Sequence, residues 1–523
     1  MKYKEIAQKA FQLLNQQAFQ DAEFYFTKLV KKFPANLDFI NALAFVKLNL
    51  KKTKDSLALL KKSVSINSKQ PLIFFNISLG YIELDNCAEA LKYIDMAIEL
   101  DPGNSNFYFT KAKAFSGCSN YEKAEDYYLK ALNIDDKFYD AYLNLGYVYN
   151  LKKDYESGIK VLEKLIILNS EFPGAHYNLA IIYDNQKNYD KAIFHYKKTI
   201  DLDQENYKAH YNLSILLLYK GFFEEGWCAF EYRWHETQKP KLFESIPECN
   251  NLNDKKNLLI WGEQGVGDQI LYSSMLTDLN LKQNVTVALD KRLVSIYQNS
   301  FPKINFMGMD NLDNVDNFDS HLPIGSLGKF LRKTRKSFEN QSKKFLYSDE
   351  KRKNKLKKFL TPKKKLLFGL AWKSKNENIG HFKSINLDEY IPLLKLPNID
   401  FVNLQYGDTQ DEIIQIEKKY KIKIHNIDEL DKFYDLDGLF CLVDLCDYVI
   451  TSSNVTAHIA GALGKKTFLI IPNIHGAAWY WHDDNFVGWY PSVRIFRQSA
   501  QGCWNLPIQN ICEEIKNLNT INF

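Results

Sequence analysis

Small residues recur every 34 positions along the first half of the chain: Ala10, Ala44, Ser78, Ala112, Gly146, Ala180 and Ser214. Twelve residues after each stands a second small one, at Ala22, Ser56, Ala90, Ala124, Gly158, Ala192 and Gly226. Four further on comes a bulky apolar residue: Phe26, Leu60, Ile94, Tyr128, Leu162, Tyr196 and Phe230. An aromatic often follows the first small residue by three, as at Tyr81, Phe115, Tyr149 and Tyr183, and Pro34 and Pro102 close two of the units. This spacing predicts paired helices, in which small residues allow close approach and large ones fill the gap to the next pair. After Trp234 the pattern changes. Short apolar runs (NLLIW, VTVAL, LLFGLAW, IDFVNLQ, YVITSS, KTFLIIP) alternate with amphipathic stretches, which predicts parallel sheets with helices on both faces.

The 34-residue order resembles the tetratricopeptide repeat over roughly residues 3–236, as seven helix pairs. It implies an α-solenoid over residues 1–236 whose concave face binds protein. Two residues before each first small position stand Gln8, Ala42, Asn76, Thr110, Asn144, Asn178 and Asn212. An asparagine amide both donates and accepts, so a row of them can pair with a peptide backbone of any sequence. The protein O-GlcNAc transferases, which also join these repeats to a sugar-transferring domain, carry such a ladder; Asn76, Asn144, Asn178 and Asn212 are the acceptor-binding candidates. The alternative is that these asparagines only pack helices.

The second half opens on WGEQGVGDQILYSSM, a strand, a glycine-rich turn and a helix start. A dinucleotide oxidoreductase would use such a turn for phosphate, with Asp290 as the ribose-binding acid. However, Ile270 occupies the place of the third glycine in that fingerprint. The second reading rests on residues 446–472, CDYVITSSNVTAHIAGALGKKTFLIIP, where the helix start near Ser453 to Ala457 offers N–H groups to a diphosphate. Hydroxyls of Ser452, Ser453 and Thr456 could add hydrogen bonds, beside Asn454.

That stretch resembles the diphosphate-binding segment of the heptosyltransferase-like GT-B glycosyltransferases, with His458 at their usual histidine and Ser453 where many members carry aspartate. In that family a glycine-aspartate pair on the first turn of the N-terminal domain faces the acceptor, and Gly267-Asp268 matches it. The resemblance makes Asp268 a base that deprotonates an acceptor hydroxyl, against the alternative of a helix N-cap. It sets Gly265 and Gly267 near the nucleotide sugar, Lys383 on the phosphates, Gln405 near the base and His321 on the acceptor side. Lys383 could equally be a surface lysine, Gln405 a strand cap and His321 a loop histidine. The end of the aromatic stretch 475–498, YPSVRIFRQ, resembles the tail of bacterial fusions of these repeats with this transferase, so the likeness spans residues 221–510. Trp479, Trp481 and Trp489 are read as core residues sooner than as sugar platforms. The implied architecture is the solenoid followed by two Rossmann-like domains, residues 250–350 on the acceptor side and residues 362–523 for the nucleotide sugar.

Charge changes the picture little. The chain carries a formal net charge of +5, and residues 331–365 hold fifteen Lys and Arg against three Asp and Glu. No nucleic-acid motif accompanies this block, so it is read as a solvated helix and linker rather than a nucleic-acid or membrane surface. Eight cysteines without a C-x-x-C pair read as reduced thiols of a cytoplasmic protein. The N-terminus lacks a signal-type apolar run, and no stretch approaches a membrane span. Asp435-Leu-Asp437 and Asp483-Asp484 imitate metal motifs, yet a GT-B site needs no metal, so neither metal nor cofactor is expected beyond the nucleotide sugar as co-substrate. The function expected is sugar transfer from a nucleotide diphosphate donor to an acceptor, a protein chosen by the repeats, with inversion. The competing class is a non-catalytic repeat adaptor with a degenerate transferase fold.

Overall fold

The 34-residue pattern becomes helix pairs because each unit carries its own local stops. The computed structural model describes residues 2–237, 239–253, 257–279, 284–360, 365–473, 478–482, 486 and 488–521. Asn86, Asn120, Asp154 and Asn188, themselves 34 apart, cap the second helix of successive units by accepting the backbone N–H three residues on. The turn before that helix bends through positive φ at Gln17, Lys51, Asp85, Ser119, Lys153 and Lys187, and at Gly221 in the last unit. The small positions meet as expected: Ser56 Oγ donates to Ala44 O at 2.7 Å and Ser78 Oγ to Ala90 O at 2.9 Å.

The chain divides into two compact units, Met1–Glu205 and Asn206–Phe523. The first contains the helices from Lys2–Asn15 to Tyr189–Leu202. In it Cys87 and Cys118 form a disulfide with a Cα–Cα separation of 6.2 Å, which corrects the expectation of reduced thiols at that pair. Cys228 and Cys503 are exposed rather than core.

The second unit takes in the last helix pair, Tyr207–Lys220 and Phe223–Phe230, because their apolar faces complete an α/β core. Trp227 is fully buried, its Nε1 donates to Arg332 O at 2.9 Å, and its ring meets Tyr272, Trp479 and Trp489. Gly328 makes room for that indole: a Cβ there would lie 2.3 Å from Trp227 Cε2. Gly328→Ala is therefore expected to destabilise this unit by about 1–3 kcal/mol, read as a lower urea midpoint by circular dichroism.

Two parallel sheets follow. The first comprises β1 (Leu258–Trp261), β2 (Val285–Leu289), β3 (Asn305–Gly308) and β4 (Ser320–Pro323), in the order β3-β2-β1-β4. The second comprises β5 (Leu366–Ala371), β6 (Ile399–Asn403), β7 (Ile424–His425), β8 (Tyr448–Ser452), β9 (Lys466–Ile471) and β10 (Val493–Arg497), in the order β10-β9-β8-β5-β6-β7. The strand order reverses beside β1 in one sheet and beside β5 in the other, and crevices open at the carboxyl ends of strands at such points.

The basic block is more than a solvated linker. Arg332 pairs with Asp278 and Arg352 with Asp435, while Lys353, Lys344 and Lys465 surround Asp444. Burial would raise the Asp444 carboxyl, but Ser348 and these lysines outweigh it and hold it at about 2. Among the described residues no helix is long and apolar enough to cross a membrane.

Candidate functional site

The turn after β1 leads into the helix Val266–Ser273. Its glycines are explained first by packing. A Cβ on Gly267 would stand 2.9 Å from His458 Cδ2, so glycine lets the helix Val455–Ala462, which follows β8, come close. Asp268, in the first turn of its helix, accepts from Gly265 N–H through Oδ2 at 3.1 Å. The capping alternative is thus real, and it does not exclude chemistry, because Asp268 also lines a cleft of about 260 Å³. Burial pushes its carboxyl above the ordinary carboxylate range, the Gly265 N–H and Lys383 resist this, and Glu263 adds to it. A carboxylate so placed is a stronger base than one in water.

Elements of both sheets line the cleft. Gly265, Gly267 and Asp268 come from the first; Lys383, Ser453, Asn454, His458 and Tyr480 come from the second. Lys383 is 8% exposed and makes no hydrogen bond or ion pair among the described residues. Burial lowers its pKa, opposed by Asp268. A buried ammonium without a partner is costly unless an anion arrives to share it. His458 is held neutral, its pKa lowered to about 3 by burial and Lys383; its Nδ1 lies 3.1 Å from Tyr490 OH and its Nε2 3.4 Å from Tyr480 OH.

Further cations gather that sequence reasoning missed. Arg292, Lys375 and Lys432 line the same cleft, with Tyr406 and Phe433 as its aromatic wall. Arg292 follows β2, Lys375 and Lys383 follow β5, and Lys432 follows β7. The usable signal was position, since each lies beyond a strand's carboxyl end. Lys432 is 8% exposed and donates to Asn426 Oδ1 at 3.0 Å. Arg292 grips Asp290 through two hydrogen bonds, at 2.8 and 2.7 Å, so the acid weighed for a ribose is already engaged.

Several expected ligands are placed otherwise. Gln405 accepts from Trp372 N–H at 2.8 Å and Lys373 N–H at 2.7 Å and donates to Tyr406 O; it shapes the loop after β5 and is not among the residues lining the cleft. His321 lies on β4, buried, with Trp261 Nε1 donating to its Nδ1 at 3.0 Å and Phe243 stacked on its ring, so it has no acceptor-side position in this cleft. Ser452 and Thr456 are sealed beneath the helix start, and Thr456 Oγ1 finds no partner among the described residues. Asn454 Oδ1 already takes Thr456 N–H at 2.9 Å, and Asn454 O takes Ala457 N–H at 3.1 Å, which reduces the donors that helix offers an anion. Ser453 does line the cleft, its Oγ accepting from Trp481 Nε1 at 3.0 Å. Trp479, Trp481 and Trp489 are core residues.

In the repeats, Asn144 Nδ2 donates to Asp140 O in its own helix and Asn178 Nδ2 to Leu143 O in the preceding unit. Packing therefore accounts for part of the ladder, while Asn76 is half-buried and Asn212 belongs to the second unit. Asp435 caps Gly438 N–H and pairs with Arg352, and Asp437 accepts from Ser295. Asp483 and Asp484 lie outside the described residues.

The tetratricopeptide-repeat family models match residues 105–138, 139–172 and 173–206, and the helical unit is an array of these protein-interaction repeats. The chain is 31% identical over 317 residues to Protein FlbA of Caulobacter vibrioides, covering 55% of this chain and 52% of that protein. It thus spans about half the length of that curated relative. Among solved structures it is similar to a tetratricopeptide repeat protein of Parabacteroides merdae, at 17% identity and a TM-score of 0.40, over 46% of this chain and 94% of that one. It is also similar to a thermophilic tetratricopeptide repeat protein of Thermus thermophilus, at 17% identity and a TM-score of 0.31, over 35% of this chain and 100% of that one.

Proposed function

We propose that this chain is a GT-B glycosyltransferase that moves a sugar from a nucleotide diphosphate donor to a protein acceptor selected by the repeats. One observation carries the reading: Asp268, beside the first sheet, and the unpartnered Lys383, beside the second, line one cleft. Arg292 is paired with Asp290, while Lys375, Lys383 and Lys432 also line the cleft and would face the diphosphate of a bound donor.

Asp268 takes the proton of the acceptor hydroxyl as its oxygen attacks the anomeric carbon. The bond from that carbon to the β-phosphate oxygen breaks, the electron pair leaves with the diphosphate, and a single displacement inverts the centre. Lys383 and the start of the helix Val455–Ala462 offset the charge of the departing group. No metal is required for this. The reaction belongs in the cytoplasm, where nucleotide sugars are available.

A nucleoside diphosphate at a hundred times its Kd is expected to stabilise the fold by about 2.7 kcal/mol with a chelator present. Differential scanning fluorimetry over UDP, GDP, ADP and dTDP reads this directly. Stabilisation only with added divalent metal would remove the metal-free mechanism. No response to any of them would leave the non-catalytic adaptor as the better reading.

A further inference from the structure

The turn that carries Asp268 is clamped from behind by a buried ion pair. Glu263, 7% exposed, receives Arg233 Nε on Oε2 at 2.8 Å and Arg233 Nη2 on Oε1 at 2.7 Å, and Gly325 N–H adds a third bond at 3.0 Å. Arg233 is 2% exposed and directs its remaining N–H groups to Phe230 O, Glu231 Oε1 and Ser326 Oγ, at 3.0, 3.0 and 2.9 Å. The guanidinium's five donors are all engaged. A planar fork satisfied in this way fixes its partner in space as a lysine cannot. Arg233 begins the short helix Arg233–Thr237, directly beyond the last helix pair. The turn that presents Asp268 is therefore anchored to the segment that ends the repeat pattern.

We propose that Arg233 is the positioning residue for Asp268. By pairing with Glu263 it holds the turn 262–268 in place and neutralises a carboxylate that would otherwise oppose ionisation of the base. The catalytic half of this rests on the transferase reading; the clamping half does not. The titratable groups around Asp268 are Lys383 beyond β5, Glu263 on its own turn and Tyr272 on its own helix, with Tyr211, Tyr480, Tyr490 and the neutral His458 beyond them. Removing the guanidinium leaves Glu263 as a buried like charge beside the base, and a like charge disfavours the ionised form.

The test compares full-length wild type, Arg233→Lys, Arg233→Met and the double variant Arg233→Met/Glu263→Gln. Hydrogen–deuterium exchange of the peptide covering residues 262–272 reads the clamp without reference to activity. Release of nucleoside diphosphate from UDP-, GDP- and dTDP-hexoses, followed across pH, reads the base. Arg233→Met should exchange roughly tenfold faster or more and move the acid limb of kcat/KM upward by on the order of one pH unit. The double variant, with no buried charge left unpaired, should recover both. Arg233→Lys keeps the charge but not the fork, so its turn loosens while its limb stays. Unchanged exchange in Arg233→Met and Arg233→Lys, or a double variant no better than the single, would overturn the clamp. A normal limb in Arg233→Met with altered exchange would overturn the effect on Asp268. Should wild type release no nucleoside diphosphate from any donor, the transferase reading falls, and the exchange results alone judge the clamp.

Discussion

On the proposed transferase function, Asp268→Asn is expected to lower sugar transfer roughly a hundredfold to ten-thousandfold and to leave the melting temperature almost where it was. Asparagine keeps the size and the oxygen that accepts Gly265 N–H, the bond that caps the helix Val266–Ser273. What it loses is the ability to take a proton. The Asp268 carboxyl sits above the ordinary carboxylate range, chiefly through burial, so activity in wild type should fall as pH drops through that raised value. Nucleotide binding should change little, because the cations on the second sheet's side of the cleft, Lys375, Lys383 and Lys432, remain. The decisive measurement is initial transfer rate at matched folding. Equal rates in both proteins would leave Asp268 as a helix cap and nothing more.

Lys383→Met separates a binding group from a structural one by moving stability and affinity in opposite directions. Lys383 is 8% exposed without a hydrogen bond or ion pair among the described residues, so its ammonium is desolvated with little in return. Methionine fills the space of the stem and carries no charge, so the ligand-free protein should melt at the same temperature or higher. The lost contact to a phosphate should weaken nucleoside diphosphate binding by about 1.5–3 kcal/mol, roughly tenfold to 150-fold in Kd. The sign with pH follows from burial lowering the folded-state pKa below the ordinary 10.5. Between the lowered value and 10.5 the unfolded chain holds the proton more tightly, so stability of the ligand-free protein rises with pH across that window. On the proposed function, affinity for a nucleoside diphosphate should fall across the same window, because the phosphate would lose the ammonium's charge. Calorimetry on both proteins should show the two trends in wild type and neither in the variant. A variant that melts lower and binds normally would make Lys383 a packing residue.

How much of this was legible beforehand differs by residue. The helix pairs were, since the meeting of Ser56 with Ala44 or of Ser78 with Ala90 depends on neighbours within one unit. The apolar runs that became β1, β2, β5, β6, β8 and β9 were also readable. The four-residue strands β3 and β4 and the two-residue β7 were not, because so short a segment shows no period. The caps at Asn86, Asn120, Asp154 and Asn188 recur at the repeat spacing, so they are legible in the sequence too.

The sequence by itself determined the elements: where helices pair, where strands alternate with helices, and that a glycine turn carries an acid at its helix start. It did so because those choices depend on spacing and on contacts within a few tens of residues. Only the tertiary structure decided which polar side chains share the cleft. Gln405 lies just past the end of β6 like the true cleft residues, and His321 lies within β4, yet their polar atoms are taken by Trp372 and Lys373 and by Trp261. Arg292, Lys375 and Lys432 carry no motif and meet because the carboxyl ends of strands from both sheets open onto one cleft. Gly267 owes its missing side chain to His458, 191 residues away on the other sheet's helix. A residue's type fixes what it can do; sheet order and the partner across the cleft fix what it faces, and no local pattern encodes that.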